Sequence, residues 1–359
     1  MSRATTYLVH CVPGLEEIVA DELKRSGIEA RITQTLARFD ERTSLLIVNW
    51  SGPPSELLRL RTVEDVFILT AKLPDVRSSR APLLAVRQLV EVDSQVVSAA
   101  STVQRLRPAR GRPTWRVVAR MSGSQTFRRV DLQRAVEEGV AKRLGGWRHV
   151  ADDAQLELWA HLVGKTFLLG ARISDAGMRH RTYLAASRPA ALKPTIAAAM
   201  VFLTTPQPED VFLDPMCGAG TVLMERAETA RYEQLWGGDN DPEAVAAARE
   251  NIGSRYKPIE IKQWDATRLP FAQGEISALA CNLPFGKQIG TREQNRALYP
   301  ALISEWARVV QPGGRLVLLS SESRLLESAV RREKKLARRR SYRVMVRGVL
   351  VTMSVIDRN

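Results

Sequence analysis

Cysteine and histidine are scarce and scattered. Three cysteines, Cys11, Cys217 and Cys281, and four histidines, His10, His149, His161 and His180, show no spacing that would gather a metal. Three thiols also make no disulfide framework, so the sequence predicts a reducing, cytoplasmic setting. No apolar run approaches the roughly 18 residues that a membrane-spanning helix requires. The opening stretch, MSRATTYLVHCVPGLEE, lacks the apolar core of a secretory leader and reaches charge quickly. No internal repeat or long low-complexity tract is present. Acidic residues are also in deficit: 39 Asp and Glu stand against 53 Lys and Arg, a formal net charge of +14. A folded chain this basic suits a polyanion, because neutralising phosphates releases counterions. The remainder is ordinary for a globular protein, with 359 residues and 45% hydrophobic content, enough for one to three domains.

Periodicity divides the chain into modules. Residues 7–12 read as a strand, Pro13-Gly14 as a turn and 15–25 as a helix ended by Gly27; 45–49 and 66–73 read as strands, and a helix starts at 53. These form a compact α+β unit over residues 1–74. Helices at 83–89 and 93–106, a strand at 115–121, a helix at 130–144 and a hairpin of 156–161 with 166–173 form a second α+β module over 75–173. A polar, basic stretch follows and reads as a linker, 174–190. From 191 to 359 apolar strands and helices alternate, which predicts a doubly wound sheet. Its strands are expected at 211–213, 235–239, 260–264, 278–281 and 315–320, and its helices at 221–231, 242–252, 296–310 and 323–331. Two strands broken at Gly348 are expected over 343–356 as a terminal antiparallel hairpin.

Four strand ends in this last module carry chemistry. The first runs into Asp214-Pro215-Met216-Cys217-Gly218-Ala219-Gly220-Thr221, a Gly-x-Gly loop between strand and helix that lets backbone approach a ligand. It does not continue as Gly-x-Gly-x-x-Gly and lacks the Lys-Ser/Thr of a P-loop, which argues against dinucleotides and nucleoside triphosphates. The second strand ends at Asp239, placed to hold the two hydroxyls of a ribose, with Asn240 or Asp241 ahead of Pro242 suited to cap the next helix. The third ends at Trp264-Asp265-Ala266, where the aspartate can accept from an adenine amine. The fourth delivers Asn282-Leu283-Pro284-Phe285-Gly286-Lys287. The amine of a guanine is a poor nucleophile because its lone pair is delocalised into the ring. The Asn282 side-chain oxygen and the Leu283 carbonyl can both accept from it, localising the lone pair and stabilising developing charge. Pro284 fixes the turn, and Phe285 offers a face for a flipped base.

At these residues the chain resembles the Rossmann-like S-adenosylmethionine methyltransferases of the branch that methylates amino nitrogens of bases, through Asp-Pro-x-Cys-Gly-x-Gly-Thr at 214–221 and Asn-Leu-Pro-Phe-Gly at 282–286. Cys11-Val12-Pro13-Gly14-Leu15-Glu16-Glu17 and Leu60-Arg61-Thr62-Val63-Glu64-Asp65-Val66 resemble the ferredoxin-like start of THUMP-domain RNA methyltransferases. The module at 75–173 resembles the THUMP domain itself, and Leu192-Lys193-Pro194-Thr195-Ile196-Ala197 resembles the segment that leads into their catalytic domain. The likeness is best for THUMP tRNA guanine-N2 methyltransferases that act on guanosine 6.

The resemblance implies a cytoplasmic, metal-free enzyme that transfers methyl from S-adenosylmethionine to the N2 of guanosine 6 of a tRNA. Asn282, Leu283, Pro284 and Phe285 would hold the target. Lys193, Pro194, Thr195, Asp214, Met216, Cys217, Gly218, Ala219, Gly220, Thr221, Asp239, Asn240, Asp265, Ala266 and Asn282 would hold the cofactor. The THUMP domain would grip the acceptor stem and 3′ end, with neither a membrane nor an obligatory protein partner. Leu283 departs from the proline common in the wider class. Competing readings are a ribosomal RNA guanine-N2 or base-adenine methyltransferase, a protein-glutamine methyltransferase, and an RNA-binding protein with an inactive methyltransferase domain. Two features remain open. The basic run at 331–340 reads either as a phosphate grip or as a solvated helical face, and Trp115 and Phe127 either as RNA-stacking or as core, with core favoured for Trp115.

Overall fold

The computed structural model describes residues 4–36, 39–40, 42–78, 81–93, 95–108, 110–183, 192–285 and 292–359. The chain divides into two compact units, Met1–Met178 and Arg179–Asn359.

In the first unit the elements run β1 (Thr5–Cys11), α1 (Glu16–Arg25), β2 (Arg31–Leu36), β3 (Ser44–Trp50), α2 (Pro54–Leu57), β4 (Val63–Leu73), α3 (Pro82–Val92), α4 (Gln95–Leu106), β5 (Thr114–Ser122), α5 (Arg129–Arg143), β6 (Arg148–His149), β7 (Leu156–Val163) and β8 (Thr166–Arg172), with the short α6 (Ala176–His180) running past its end. The strands make one sheet, ordered β2-β3-β1-β4-β8-β7-β5-β6. β4 pairs antiparallel with β8, from Phe67 opposite Arg172 to Leu73 opposite Phe167. The stretches 1–74 and 75–173 therefore contribute strands to the same sheet. β4 is buried along its first nine residues, as a central strand covered on both faces should be. β2, in contrast, lies at an edge and alternates exposed with half-buried residues. Its sequence, RITQTL, carries too little apolar signal to read as a strand, and periodicity missed it, as it missed the two-residue β6 at the opposite edge. The helices α1 and α3–α5 contribute Val19, Val90, Val103 and Val136 to the main apolar core. A Cβ on Gly139 of α5 would come within 2.9 Å of the Arg87 carbonyl oxygen of α3, so only glycine permits that helix contact. A second cluster holds Phe39, Phe67 and Trp159, with His10 and His161 fully buried and their rings 4.9 Å apart. Burial, and then the nearby Arg120 charge, lower the His161 pKa to about 3, so the ring is neutral.

The second unit holds α7 (Pro194–Thr204), β9 (Val211–Asp214), α8 (Thr221–Thr229), β10 (Gln234–Asp239), α9 (Pro242–Ile252), β11 (Ile259–Gln263), β12 (Ile276–Asn282), α10 (Arg292–Val309), β13 (Val310–Ser320), α11 (Ser323–Arg332), β14 (Leu336–Val346) and β15 (Val349–Arg358). The sheet order is β11-β10-β9-β12-β13-β15-β14. Neighbours from β11 to β13 pair parallel, and β15 and β14 close the sheet as an antiparallel hairpin. This is the doubly wound sheet with a terminal hairpin that the alternation predicts. One correction concerns β14, which begins at Leu336 rather than at 343, because a run of arginines hid its alternation. Of the expected linker, residues 176–180 are helical, and 184–190 lie outside the described residues.

Candidate functional site

The strand order of the second unit turns round between β9 and β12, and in doubly wound sheets ligands bind at the carboxyl ends of such strands. β9 ends at Asp214 and β12 at Asn282. Asp214 is 2% exposed. Burial pushes its carboxyl well above the usual range, against a single Met216 N–H at 3.4 Å, and the Asp239 charge pushes it further. Gly218 and Gly220 then adopt φ of +53° and +82°. A Cβ on Gly220 would sit 3.4 Å from Ala248 and Ile252 of α9, whereas one on Gly218 would enter open space. The first glycine thus leaves bare backbone at the loop, and the second lets α8 start close against α9.

Asp239 locks this loop. Its carboxylate accepts from the Gly218 N–H at 3.0 Å and from the Asp241 N–H at 3.1 Å. Each oxygen keeps a further lone pair for an incoming hydroxyl. A Cβ on Gly238 would lie 2.1 Å from the Trp264 ring. That indole donates from Nε1 to the Pro215 carbonyl at 3.0 Å, and the Trp264 N–H donates to the Asp239 carbonyl at 3.2 Å. The three acidic strand ends are therefore tied into one scaffold. Asp265 is exposed; its Oδ1 accepts from the Thr267 N–H at 2.9 Å and hydroxyl at 2.7 Å, which hold its carboxyl below the ordinary range.

Other expected cofactor residues play mixed parts. Cys217, Ala219 and Thr221 are buried, and burial raises the Cys217 thiol well above its usual pKa, so it is no nucleophile. Met216 is half-buried against the apolar core. The Ala266 carbonyl accepts from Trp306 Nε1 at 3.2 Å. Asn240 is exposed, and Asp241 rather than Asn240 caps α9, accepting from the Glu243 N–H at 2.9 Å. Lys193 is the exposed N-cap of α7, followed by buried Pro194 and Thr195. The Thr195 hydroxyl is buried without a hydrogen-bond partner among the described residues.

The turn after β12 is held on nearly every side. The Leu283 N–H donates to the Leu319 carbonyl at 3.0 Å. The Pro284 carbonyl accepts from Asn295 Nδ2 at 3.2 Å and from Tyr299 Oη at 3.0 Å, and Ser321 Oγ donates to the Phe285 carbonyl at 3.2 Å. Tyr299 Oη also meets Ser320 Oγ at 2.9 Å, and burial pushes its pKa up to about 12, so it stays a protonated donor. Asn282 Oδ1, in contrast, is buried and accepts no hydrogen bond among the described residues. Phe285 is half-exposed, while Gly286 and Lys287 lie outside the described residues. Sequence reasoning did not find Asn295, Tyr299, Ser320 and Ser321, because they act from α10 and the end of β13 and belong to no local motif.

Two expectations are corrected or settled. Trp115 is 2% exposed and packs on His149 with ring centres 4.5 Å apart, so it belongs to the core; Phe127 packs half-buried against the same core. The helical reading of the basic run fails beyond Arg332, because residues from Leu336 onward are strand.

Residues 181–352 match the family described as RMKL-like, methyltransferase domain. A Bos taurus protein named tRNA (guanine(6)-N(2))-methyltransferase THUMP3 is 31% identical over 198 residues, which are 51% of this chain and 39% of that protein. The chain thus matches about two fifths of that relative's length. A Thermus thermophilus tRNA (guanine(6)-N2)-methyltransferase is 26% identical over 330 residues and 91% of each chain. The crystal structure of TrmN from Thermus thermophilus shares the fold, with a TM-score of 0.79 and 24% identity over 99% of this chain and 100% of that one.

Proposed function

We propose that this chain, whose residues 181–352 form a methyltransferase domain of the RMKL-like family, transfers a methyl group from S-adenosylmethionine to the exocyclic N2 of a guanosine in tRNA. The observation that carries this reading is the buried Asn282 Oδ1 at the carboxyl end of β12, which has no hydrogen-bond partner among the described residues. A buried acceptor without a donor costs about 1–3 kcal/mol, so its retention points to a donor that arrives with the substrate. An exocyclic amine is such a donor.

The residues fit the cofactor. Asp239 offers acceptors for a diol, Asp265 one for an adenine amine, and the bare backbone at Gly218 leaves room for a ligand. Burial raises the Asp214 carboxyl well above the usual carboxylate range, and a cationic amino group beside it would favour its charged form. S-adenosylmethionine supplies an electrophilic methyl on a sulfonium. Asn282 Oδ1 and the Leu283 carbonyl accept from the amine and turn its lone pair toward that methyl. Bound there, S-adenosylmethionine would supply the methyl together with a neutral thioether as leaving group. The nitrogen gains positive charge beside the same two acceptors, and its proton leaves to solvent. Phe285, half-exposed, stacks on the base.

The likeness to the Thermus thermophilus protein over 91% of each chain supports guanosine 6 as the position, and the resemblance of residues 75–173 to a THUMP domain makes the acceptor stem and 3′ end the grip. The first unit, read as a ferredoxin-like part (1–74) with a THUMP part (75–173), would supply that grip. The same reading places the protein in the cytoplasm without an obligatory protein partner; among the described residues no helix is long and apolar enough to cross a membrane. The test is transfer of labelled methyl to unmodified total tRNA and to ribosomal RNA, with nucleoside analysis. N2-methylguanosine in tRNA supports the proposal. Label confined to ribosomal RNA overturns the substrate, and label in neither overturns the activity.

A further inference from the structure

The positive charge of the second unit is concentrated in one place. Residues 179–359 hold 27 Lys and Arg and 19 Asp and Glu; residues 324–347 alone hold ten of the former and two of the latter, which leaves 17 of each elsewhere. The entire excess therefore lies on α11, β14 and the turns on either side of β14. β14 is the edge strand of the sheet. Arg338, Arg339, Arg340 and Arg343 on it are exposed, and the register shifts between Arg338 and Arg340, a bulge that turns successive arginines in different directions. Local acids are outnumbered. Glu327 is shared by Arg331 and Arg338, and Asp357 by Arg315 and Arg339. Arg340 lies over the Tyr342 ring at 4.8 Å.

Sheet register places this run relative to the Asn282 turn. Asn282 pairs with Leu319, Leu319 with Met353, and Met353 with Tyr342. Tyr342 therefore stands in the row of Asn282, three strand spacings away, or about 14 Å. β14 is antiparallel to β15, which is antiparallel to β13, so β14 runs in the direction of β12 and β13. Arg343 and Arg347 consequently lie toward the end of the sheet where the Asn282 turn sits. One or two charges would protect an edge strand from pairing, whereas a one-signed cluster of this size repels itself and is suited to an opposite charge. A lipid surface would also need apolar anchors, and among the described residues the exposed large apolar side chains, Leu84, Val92, Val97 and Val130, all lie in the first unit.

We propose that the arginines of β14 form a track for RNA phosphates that flank the nucleotide held at Asn282; this rests on the RNA reading above. The experiment compares the full-length protein with Arg340→Ala/Arg343→Ala, using an unmodified tRNA transcript. Binding is measured across salt concentrations, alongside steady-state methyl transfer. The slope of log affinity against log salt should fall by about two. The KM for tRNA should rise, while kcat at saturating tRNA and the cofactor Kd stay unchanged. Arg340→Lys/Arg343→Lys should restore the slope, and Arg255→Ala, an exposed cation elsewhere on the unit, should leave it unmoved. An unchanged slope in the double alanine variant overturns the track. So does an equal fall in Arg255→Ala, or loss of binding to phosphatidylserine vesicles with tRNA binding intact. If the wild type binds tRNA with a steep salt slope that the double variant lowers, yet transfers no methyl, the enzymatic reading fails and the track stands. If methyl is transferred and the slope does not move, the track alone fails.

Discussion

Replacing Asn282 with alanine should move stability and activity in opposite directions. The free protein buries Oδ1 with no donor among the described residues, a cost of about 1–3 kcal/mol that truncation removes. Asn282 is only half-buried, so the shortened side chain opens onto the crevice rather than leaving a closed cavity. A gain of about 1 kcal/mol raises the melting temperature of a domain this size by roughly 2–4 °C. Turnover should fall, because a preorganised group that stabilises developing charge is typically worth about 2.7–4 kcal/mol, or roughly 10²–10³ in kcat. The assays are calorimetric melting, single-turnover methyl transfer with both substrates saturating, and titration with S-adenosylhomocysteine. Binding of the last should change little. A lower melting temperature together with unchanged turnover would refute the reasoning and make Asn282 a structural residue.

Three further outcomes follow from the geometry. Asp239→Asn puts an amide where two backbone N–H groups now meet a carboxylate; S-adenosylmethionine binding should weaken by at least about tenfold, with tRNA affinity unchanged, and a loss of tRNA affinity alone would contradict the assignment. His161, with its pKa lowered from 6.5 to about 3, is neutral when folded and protonates more readily when unfolded. Its contribution is therefore complete above about pH 6.5 and declines by roughly 1.4 kcal/mol per unit as pH falls toward 3; urea unfolding at pH 7 and pH 5 should differ by about 2 kcal/mol from this source, and His161→Phe should flatten the difference. Tyr299→Phe removes one of the two donors on the Pro284 carbonyl; kcat should drop about tenfold, with the melting temperature and the Kd of the cofactor nearly unchanged, and a parallel loss of cofactor binding would reduce Tyr299 to a packing role.

Much of the second unit was legible because its chemistry sits at strand ends and strands announce themselves. Val211 to Asp214, Leu235 to Asp239 and Ala278 to Asn282 each join apolar residues to a polar terminus, so the strand and its cargo are read together. The arginines of β14 broke that logic: residues 337–341 are all exposed, the bulge shifts the alternation, and no buried residue stands between Leu336 and Tyr342 to mark the strand. β2 failed for a related reason, as an edge strand need bury little. The pairing of β4 with β8 spans about a hundred residues, and no local pattern encodes it.

The site itself shows the same division between what a segment carries and what other segments do to it. Asn282 to Phe285 were visible as a motif, but their conformation is imposed from Asn295 and Tyr299 on α10 and from Leu319 and Ser321 at and just beyond the end of β13. These partners satisfy the Leu283 N–H and the carbonyls of Pro284 and Phe285. Under the proposed function, a turn with three backbone groups engaged and one buried side-chain acceptor left open among the described residues is a turn held ready for a donor on the substrate. On that reading the group that completes it is a hydrogen-bond donor small enough to reach a half-buried asparagine beside the half-exposed Phe285 ring, which an exocyclic amine on a stacked base is.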